Sequence, residues 1–147
     1  ARTARGPNPG GRHGMTWRVK GELVMNVDDY LAGKKWDDSV CFACYQVDLH
    51  KPLWKDFVRR GVPNGVLPTI PLRAMIPAGV DHLTVAGRCI SADRETLSAV
   101  RIQATCMATG QAAGAVAALA ARHGTTPRKV DLAELKTLLK QHDAIVP

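Results

Sequence analysis

The longest ordered feature in the pattern of polar and apolar positions is a stretch without a charged residue, from Ile102 to Ala121. Gln103, Thr105, Thr109 and Gln111 cluster in its first half, and alanine dominates the second. The length predicts one helix over 104–123, with Gly124 as the residue that ends it. A bilayer span takes about 20 residues. The polar first half and the low transfer energy of alanine favour a buried helix of a soluble protein instead. Gly110 and Gly114 stand four apart, so they share one helix face and permit close approach of another backbone.

The other elements follow from caps and alternation. A short strand is predicted over 17–25. Asn26 then caps a short helix with Asp28 and Asp29 in its first turn, and Gly33 ends it. The run VCFACYQVDL, residues 40–49, is rich in β-branched and aromatic residues and predicts one strand. Residues 51–68, with scattered Pro and Gly, predict a loop. IPLRAMIP predicts an extended piece bounded by prolines. HLTVA, residues 82–86, predicts a short apolar strand ending at Gly87. Residues 89–98 are polar and read as a loop. Asp131 caps a last helix in a D-x-x-E box with Glu134, and Leu132, Leu135, Leu138 and Leu139 form its apolar stripe.

The chain has 147 residues, 46% of them hydrophobic but only 5% aromatic. The core therefore rests on aliphatic side chains, and the length suits one domain. The formal net charge is +7 at pH 7. Arg2, Arg5, Arg12, Arg18 and Lys20 supply five of those charges with no acidic residue among the first twenty, which leaves +2 for the rest. Residues 1–15, rich in Gly, Pro and Arg, read as a flexible basic leader or a junction. A basic leader suggests a nucleic-acid binding module, but no aromatic residue before Trp17 supplies a stacking platform. No apolar stretch follows the basic N-terminus as in a signal peptide, so the chain reads as cytoplasmic.

Cys41 and Cys44 have the C-x-x-C spacing of a zinc or redox protein. A zinc site needs a second close pair or two suitably spaced histidines. Cys89 and Cys106 are too far apart, and His50 stands alone. A redox pair opens a helix, whereas FACYQV is strand-like. The four cysteines therefore read as buried, reduced thiols, with no metal site.

Three stretches in order change the picture: WRVKGELVMNVDDYLAGKKWDDSVCFACYQVDLH, then IPLRAMIPAGVDHLTVAGRCISADRETLSAVRIQATCMATGQAAGAVAALAARHG, then VDLAELKTLLKQHDAIV. Together, from about Trp17 to the end, they resemble the C-terminal third of a bacterial FAD-dependent oxidoreductase family. That family has the two-dinucleotide-binding-fold architecture of the glutathione reductase and fumarate reductase flavoproteins. The most specific part is the ordered series AGR, polar loop, arginine, T-C-M-A-x-G-Q-A-A-G.

The resemblance implies an α/β fold, α+β as an isolated fragment. It would be the C-terminal portion of an FAD/NAD(P)-binding Rossmann-like fold with part of a β-rich substrate domain. Residues 16–80 would be the tail of the substrate domain, and 81–147 would complete the FAD-binding domain. By position, it implies flavin contacts by Gly87, Arg88 and Arg101, then by the backbone of Gln103, Ala104, Thr105, Cys106 and Met107. The helix start would point its free N–H groups and positive dipole end at the flavin around N1 and the C2 carbonyl. Related flavoproteins often carry an acidic residue where Arg88 stands. Its role stays open among FAD phosphate, substrate and a structural salt bridge. Arg101 is either a flavin contact or the partner of Asp93 or Glu95.

His50 and Arg73 also match the family pattern and are the catalytic candidates. An imidazole with a pKa of about 6.5 suits acid–base work beside a flavin, although a histidine after a strand also serves structure. Arg73 either grips a substrate carboxylate in two-pronged fashion or pairs with an acidic loop residue. No G-x-G-x-x-G for the pyrophosphate occurs in the sequence. The chain is therefore expected to act with an N-terminal FAD-binding portion or a partner chain, on a small-molecule substrate, without nucleic acid or membrane. Alone it is expected not to hold FAD tightly. The alternatives are a non-enzymatic basic module that binds nucleic acid and a small cysteine-based zinc or redox protein.

Overall fold

The computed structural model describes residues 17–50 and 57–147, with backbone only at His50 and Phe57. The architecture is a mixture of helices and small antiparallel sheets. Helix α1 is Val27–Leu31, and the Asn26 side chain accepts from the Asp29 N–H. Strand β1 is Ser39–Phe42 and β2 is Val47–His50. Strand β3 is Phe57–Arg60 and β4 is Thr69–Pro71. Three further helices follow: α2 Arg94–Val100, α3 Gln103–Arg122 and α4 Leu132–Gln141. β1 pairs antiparallel with β4, and β2 pairs antiparallel with β3.

The terminal helices form where their caps predict. Asp131 accepts from the Glu134 N–H at 2.8 Å, and Leu135 and Leu139 of α4 are buried against α3. α3 buries Thr105, Thr109, Ala112, Val116, Leu119 and Ala120. It ends before Gly124, whose positive φ of 60° is a conformation open to glycine. α3 is long and apolar enough to cross a membrane by length and composition, yet this face packs into the core with Ile70, Met75, Ile90 and Leu97.

The strands differ from the sequence reading because pairing partners are not local. The stretch 40–49 is two strands in two sheets, broken where the Tyr45 carbonyl accepts the Tyr30 hydroxyl at 2.7 Å. Residues 57–60, read as loop, form β3 because β2 offers a register from Val47–Arg60 to His50–Phe57. Residues 51–56 of that expected loop lie outside the described residues, as do residues 1–16 with the whole of the expected leader.

Residues 17–25 are extended but form no strand. They divide their backbone bonds between two neighbours: Glu22 N–H to Ile76 O and Met25 N–H to Ser91 O. Residues 82–86 are not a strand either. The one backbone bond from there to another segment among the described residues is Val85 N–H to Met75 O at 2.8 Å. No parallel sheet occurs among the described residues; Met25 and Ala92 form a single parallel bridge.

Residues 94–98, read as loop, belong to helix α2. Asp93 caps it, accepting from Thr96 N–H at 2.7 Å and also from Val27 N–H at 2.9 Å, which ties α1 to α2. The Ser98 hydroxyl donates to Glu95 O and accepts from Asp48 N–H, seating α2 on β2.

The start of β1 is fastened to the turn Leu72–Ala74 by Asp38. Its carboxylate accepts from Arg73 N–H at 2.8 Å, Arg73 Nε at 3.0 Å and an Arg73 Nη at 3.1 Å. The hydrogen-bonded carboxylate holds the Arg73 guanidinium above the usual arginine pKa. Of the two readings of Arg73, the pairing with an acidic residue is the one present.

The four cysteines are free, but only Cys41 is buried. Cys44 is exposed, and Cys89 and Cys106 are intermediate, so the expectation of four buried thiols is corrected. Burial pushes the Cys41 thiol up to about 12. No group of metal-ligating residues occurs among the described residues.

Two outcomes follow. Asp38→Ala strands a nearly buried N–H and a guanidinium, and should cost roughly 1–3 kcal/mol in urea unfolding. A cost near zero would show that the pair does not fasten β1. With iodoacetamide at neutral pH, mass spectrometry should find Cys44 modified first and Cys41 last. Labelling of Cys41 before Cys44 would contradict this burial order.

Candidate functional site

The start of α3 lacks the usual capping. Its N-cap residue is Ile102, no side chain caps it, and no acidic residue lies in the first turn. The first backbone bond of the helix is Cys106 N–H to Ile102 O at 2.9 Å. The N–H groups of Gln103, Ala104 and Thr105 precede it and have no partner among the described residues. Gln103 and Ala104 are exposed. A 20-residue helix thus presents three donors and the positive end of its dipole to whatever lies before it.

Against this start lies the turn Gly87–Cys89. Gly87 has φ 70°, a region that L side chains rarely adopt, and a Cβ there would sit 3.6 Å from Cys106 Sγ. The turn is bonded to α3: Gly87 N–H donates to Thr109 Oγ1 at 3.0 Å. That hydroxyl in turn points its proton at the carbonyls of Thr105 (2.9 Å) and Cys106 (3.0 Å). Both nearby thiols are used locally. Cys89 Sγ donates to Ala86 O and Cys106 Sγ to Arg101 O. Burial raises the Cys106 thiol, and the positive charge of Arg88 offsets part of the rise.

The predicted arginines separate into three environments. Arg88 is exposed and makes no ion pair among the described residues. Arg101 pairs with neither Asp93 nor Glu95. Asp93 caps α2 and Glu95 meets Arg60 at 3.4 Å, while the Arg101 guanidinium reaches the carbonyls of Ser98 (3.4 Å) and Asp48 (3.5 Å). Arg73 is held by Asp38, although about half of its side chain stays exposed. His50 ends β2, but its side chain lies outside the described residues.

Beside the first turns of α3, a groove of about 450 Å³ opens between that helix and β1. Phe42 and Cys44 line one wall, Thr105, Met107 and Ala108 the other, and Ala144 closes the end. The tail is tied there by Gln111 Nε2 donating to His142 O at 2.9 Å. Met107 is 67% exposed. Sequence reasoning missed Asp38, Thr109 and the β1 wall of the groove. Thr109 did carry a signal: it lies four residues after Thr105, on the same helix face. Gly110 and Gly114, expected to seat a neighbour, face open space with nothing within 4 Å of a Cβ.

These residues fit a flavin. The donor set is backbone N–H with no acidic residue in the first helical turn, Gly87 brings no Cβ to the adjoining turn, and the groove is mostly apolar, with Asp143 as the acidic residue of its lining. A family model described as FAD dependent oxidoreductase matches residues 4–139. No curated protein and no solved structure matches the chain. With nearly its whole length matched by the family model, the chain belongs to the FAD-dependent oxidoreductase family, and the cofactor of that family is FAD.

Proposed function

We propose that this chain is the C-terminal part or subunit of an FAD-dependent oxidoreductase and that it supplies the wall facing one edge of the flavin. The observation that carries the reading is the uncapped start of α3, flanked by the Gly87 turn. FAD, when bound, supplies hydride-accepting chemistry that no side chain has. The N–H groups of Gln103, Ala104 and Thr105 would hold an electron-rich edge of the ring, because they are donors at the positive end of a long dipole. Their service to the reduced state is electrostatic: they are fixed before the charge develops and need no reorganisation. Gly87 would let backbone approach the ring closely, and Arg88, which makes no ion pair among the described residues, would serve a phosphate or substrate. Arg101 stands at the same end, and among the described residues its guanidinium has only long bonds to carbonyls.

The catalytic assignments of His50 and Arg73 are part of this proposal with different weights. Arg73 is bonded to Asp38 through Nε and one Nη, and its other Nη, without a bond among the described residues, would be the one to meet a substrate carboxylate. His50 is the acid–base candidate by sequence position alone.

The second half of the proposal concerns what completes the site. The exposed face of α3 runs through Met107, Gly110, Gly114, Ala117 and Ala121, with no charge on it. A flat apolar face of small residues suits close packing of backbone against backbone. We assign it to the nucleotide-binding portion of the enzyme, with a Rossmann-like fold and the pyrophosphate fingerprint that these 147 residues lack.

Ala104→Asp separates this reading from a merely structural helix. A carboxylate in the first turn should stabilise the flavin-free chain by about 0.3–1 kcal/mol in thermal unfolding, by the helix dipole. In the flavin-loaded enzyme the same change should weaken FAD binding by about tenfold or more, as a carboxylate displaces the flavin edge. Higher stability with unchanged FAD affinity would refute the placement of the flavin at this helix.

A further inference from the structure

We infer that Thr109 is the positioning residue that sets the Gly87–Arg88 turn against the start of α3, and so fixes the spacing of the two elements that face the cofactor. The inference rests on the flavin reading above and deepens it. Thr109 was not among the residues that the sequence singled out, and it touches no ligand.

Three observations carry it. First, Thr109 is fully buried, at 0% exposure, so its hydroxyl has no water to turn to. Second, that one hydroxyl is saturated. It accepts from Gly87 N–H at 3.0 Å and gives its proton toward Thr105 O at 2.9 Å and Cys106 O at 3.0 Å. It is thus the polar bond that crosses from the turn to the helix beside the site. Third, the Gly87 end of the turn has little else to fix it, while the Cys89 end is held by Val19 N–H donating to Cys89 O at 2.9 Å. Gly87 has φ 70°, and a Cβ there would meet only Cys106, at ordinary contact distance. Residues 82–86 before it have one backbone bond to another segment among the described residues. The Gly87 end of the turn therefore has conformational freedom that packing does not remove, and the Thr109 bond removes it.

Geometry makes this bond matter for the site. Thr109 sits one turn into α3 beyond Thr105, the last of the three free donors. The bond thus measures the Gly87 backbone against the donors themselves. It also holds Arg88 close enough to Cys106 for its charge to act on that thiol. If the turn drifts, the cation and the close-approach glycine lose their register with the helix end, although the helix itself is unchanged.

The test compares Thr109→Val, which keeps shape and loses the hydroxyl, with Thr109→Ser, which keeps the hydroxyl. In the flavin-free chain, amide hydrogen exchange at Gly87 should speed up in the Val variant and stay protected in the Ser variant. In the flavin-loaded enzyme, the Val variant should bind FAD about tenfold more weakly, with a shifted flavin reduction potential. The Ser variant should keep both values within about twofold of the parent. A Val variant with an exposed Gly87 amide but parental affinity and potential would overturn the positioning role and leave the flavin reading intact. A Gly87 amide that stays protected in the Val variant would overturn the clamp itself. Failure of the parent enzyme to hold FAD at all would overturn the flavin reading, and this inference with it. A Val variant that does not fold, beside a Ser variant that folds but lacks parental potential, would also overturn it.

Discussion

Three backbone N–H groups at the start of a long helix with one buried face have no partner among the described residues, and much of the site's arrangement follows from that. A helix ordinarily satisfies such groups with a Ser, Thr, Asp or Asn cap. The other three well-formed caps here use Asn26, Asp93 and Asp131. Only α3, the longest helix, starts at a residue that cannot cap, Ile102. The omission leaves a concentrated positive end facing outward. The neighbouring turn carries Arg88, which makes no ion pair among the described residues, and a glycine whose φ of 70° L side chains rarely adopt. Membership of a family that uses FAD supplies the group such an end would serve.

Burial and charge are divided to protect that arrangement. The acidic groups nearest in sequence are already committed: Asp93 to two backbone N–H groups, and Glu95 to Arg60. Neither carboxylate is left to neutralise Arg101 or Arg88. Arg73, in contrast, is bonded to Asp38, which fastens the start of β1 to the turn Leu72–Ala74. The thiols of Cys89 and Cys106 donate to the carbonyls of Ala86 and Arg101, which ties them down beside the site. One face of α3 belongs to the core and the opposite face carries no charge. The helix is therefore prepared to be covered on both sides.

How much of this was legible in the sequence follows from the range of each interaction. The helices α1, α3 and α4 were readable because capping residues, dipole charges and apolar spacing act within a few residues. Helix α2 was missed because its buried residues include Thr96 and Ser98, which masked the apolar stripe, although Asp93 before Arg94-Glu95-Thr96 was an available N-cap signal. Strands were poorly readable because a strand is defined by its neighbour. The run 40–49 looked like one strand and is divided between two partners. Residues 57–60 looked like loop and found β2, while 82–86 looked like a strand and found only Met75. The start of α3 was read to within one residue, whereas Gly87 was read as the end of a strand that does not form and instead opens a turn. The clamp between them was invisible, since Thr109 lies 22 residues from Gly87 and nothing local marks the pairing. The partner of Arg73 was equally non-local, at 35 residues.

The most direct measurement of the central claim is the amide resonances of Gln103, Ala104 and Thr105 in the enzyme with and without FAD. The account predicts that these three amide protons move downfield on loading and become protected from solvent exchange, while amides in the second half of α3 stay nearly unchanged. Resonances of all three that remain in place and exchange freely in the FAD-loaded enzyme would contradict it.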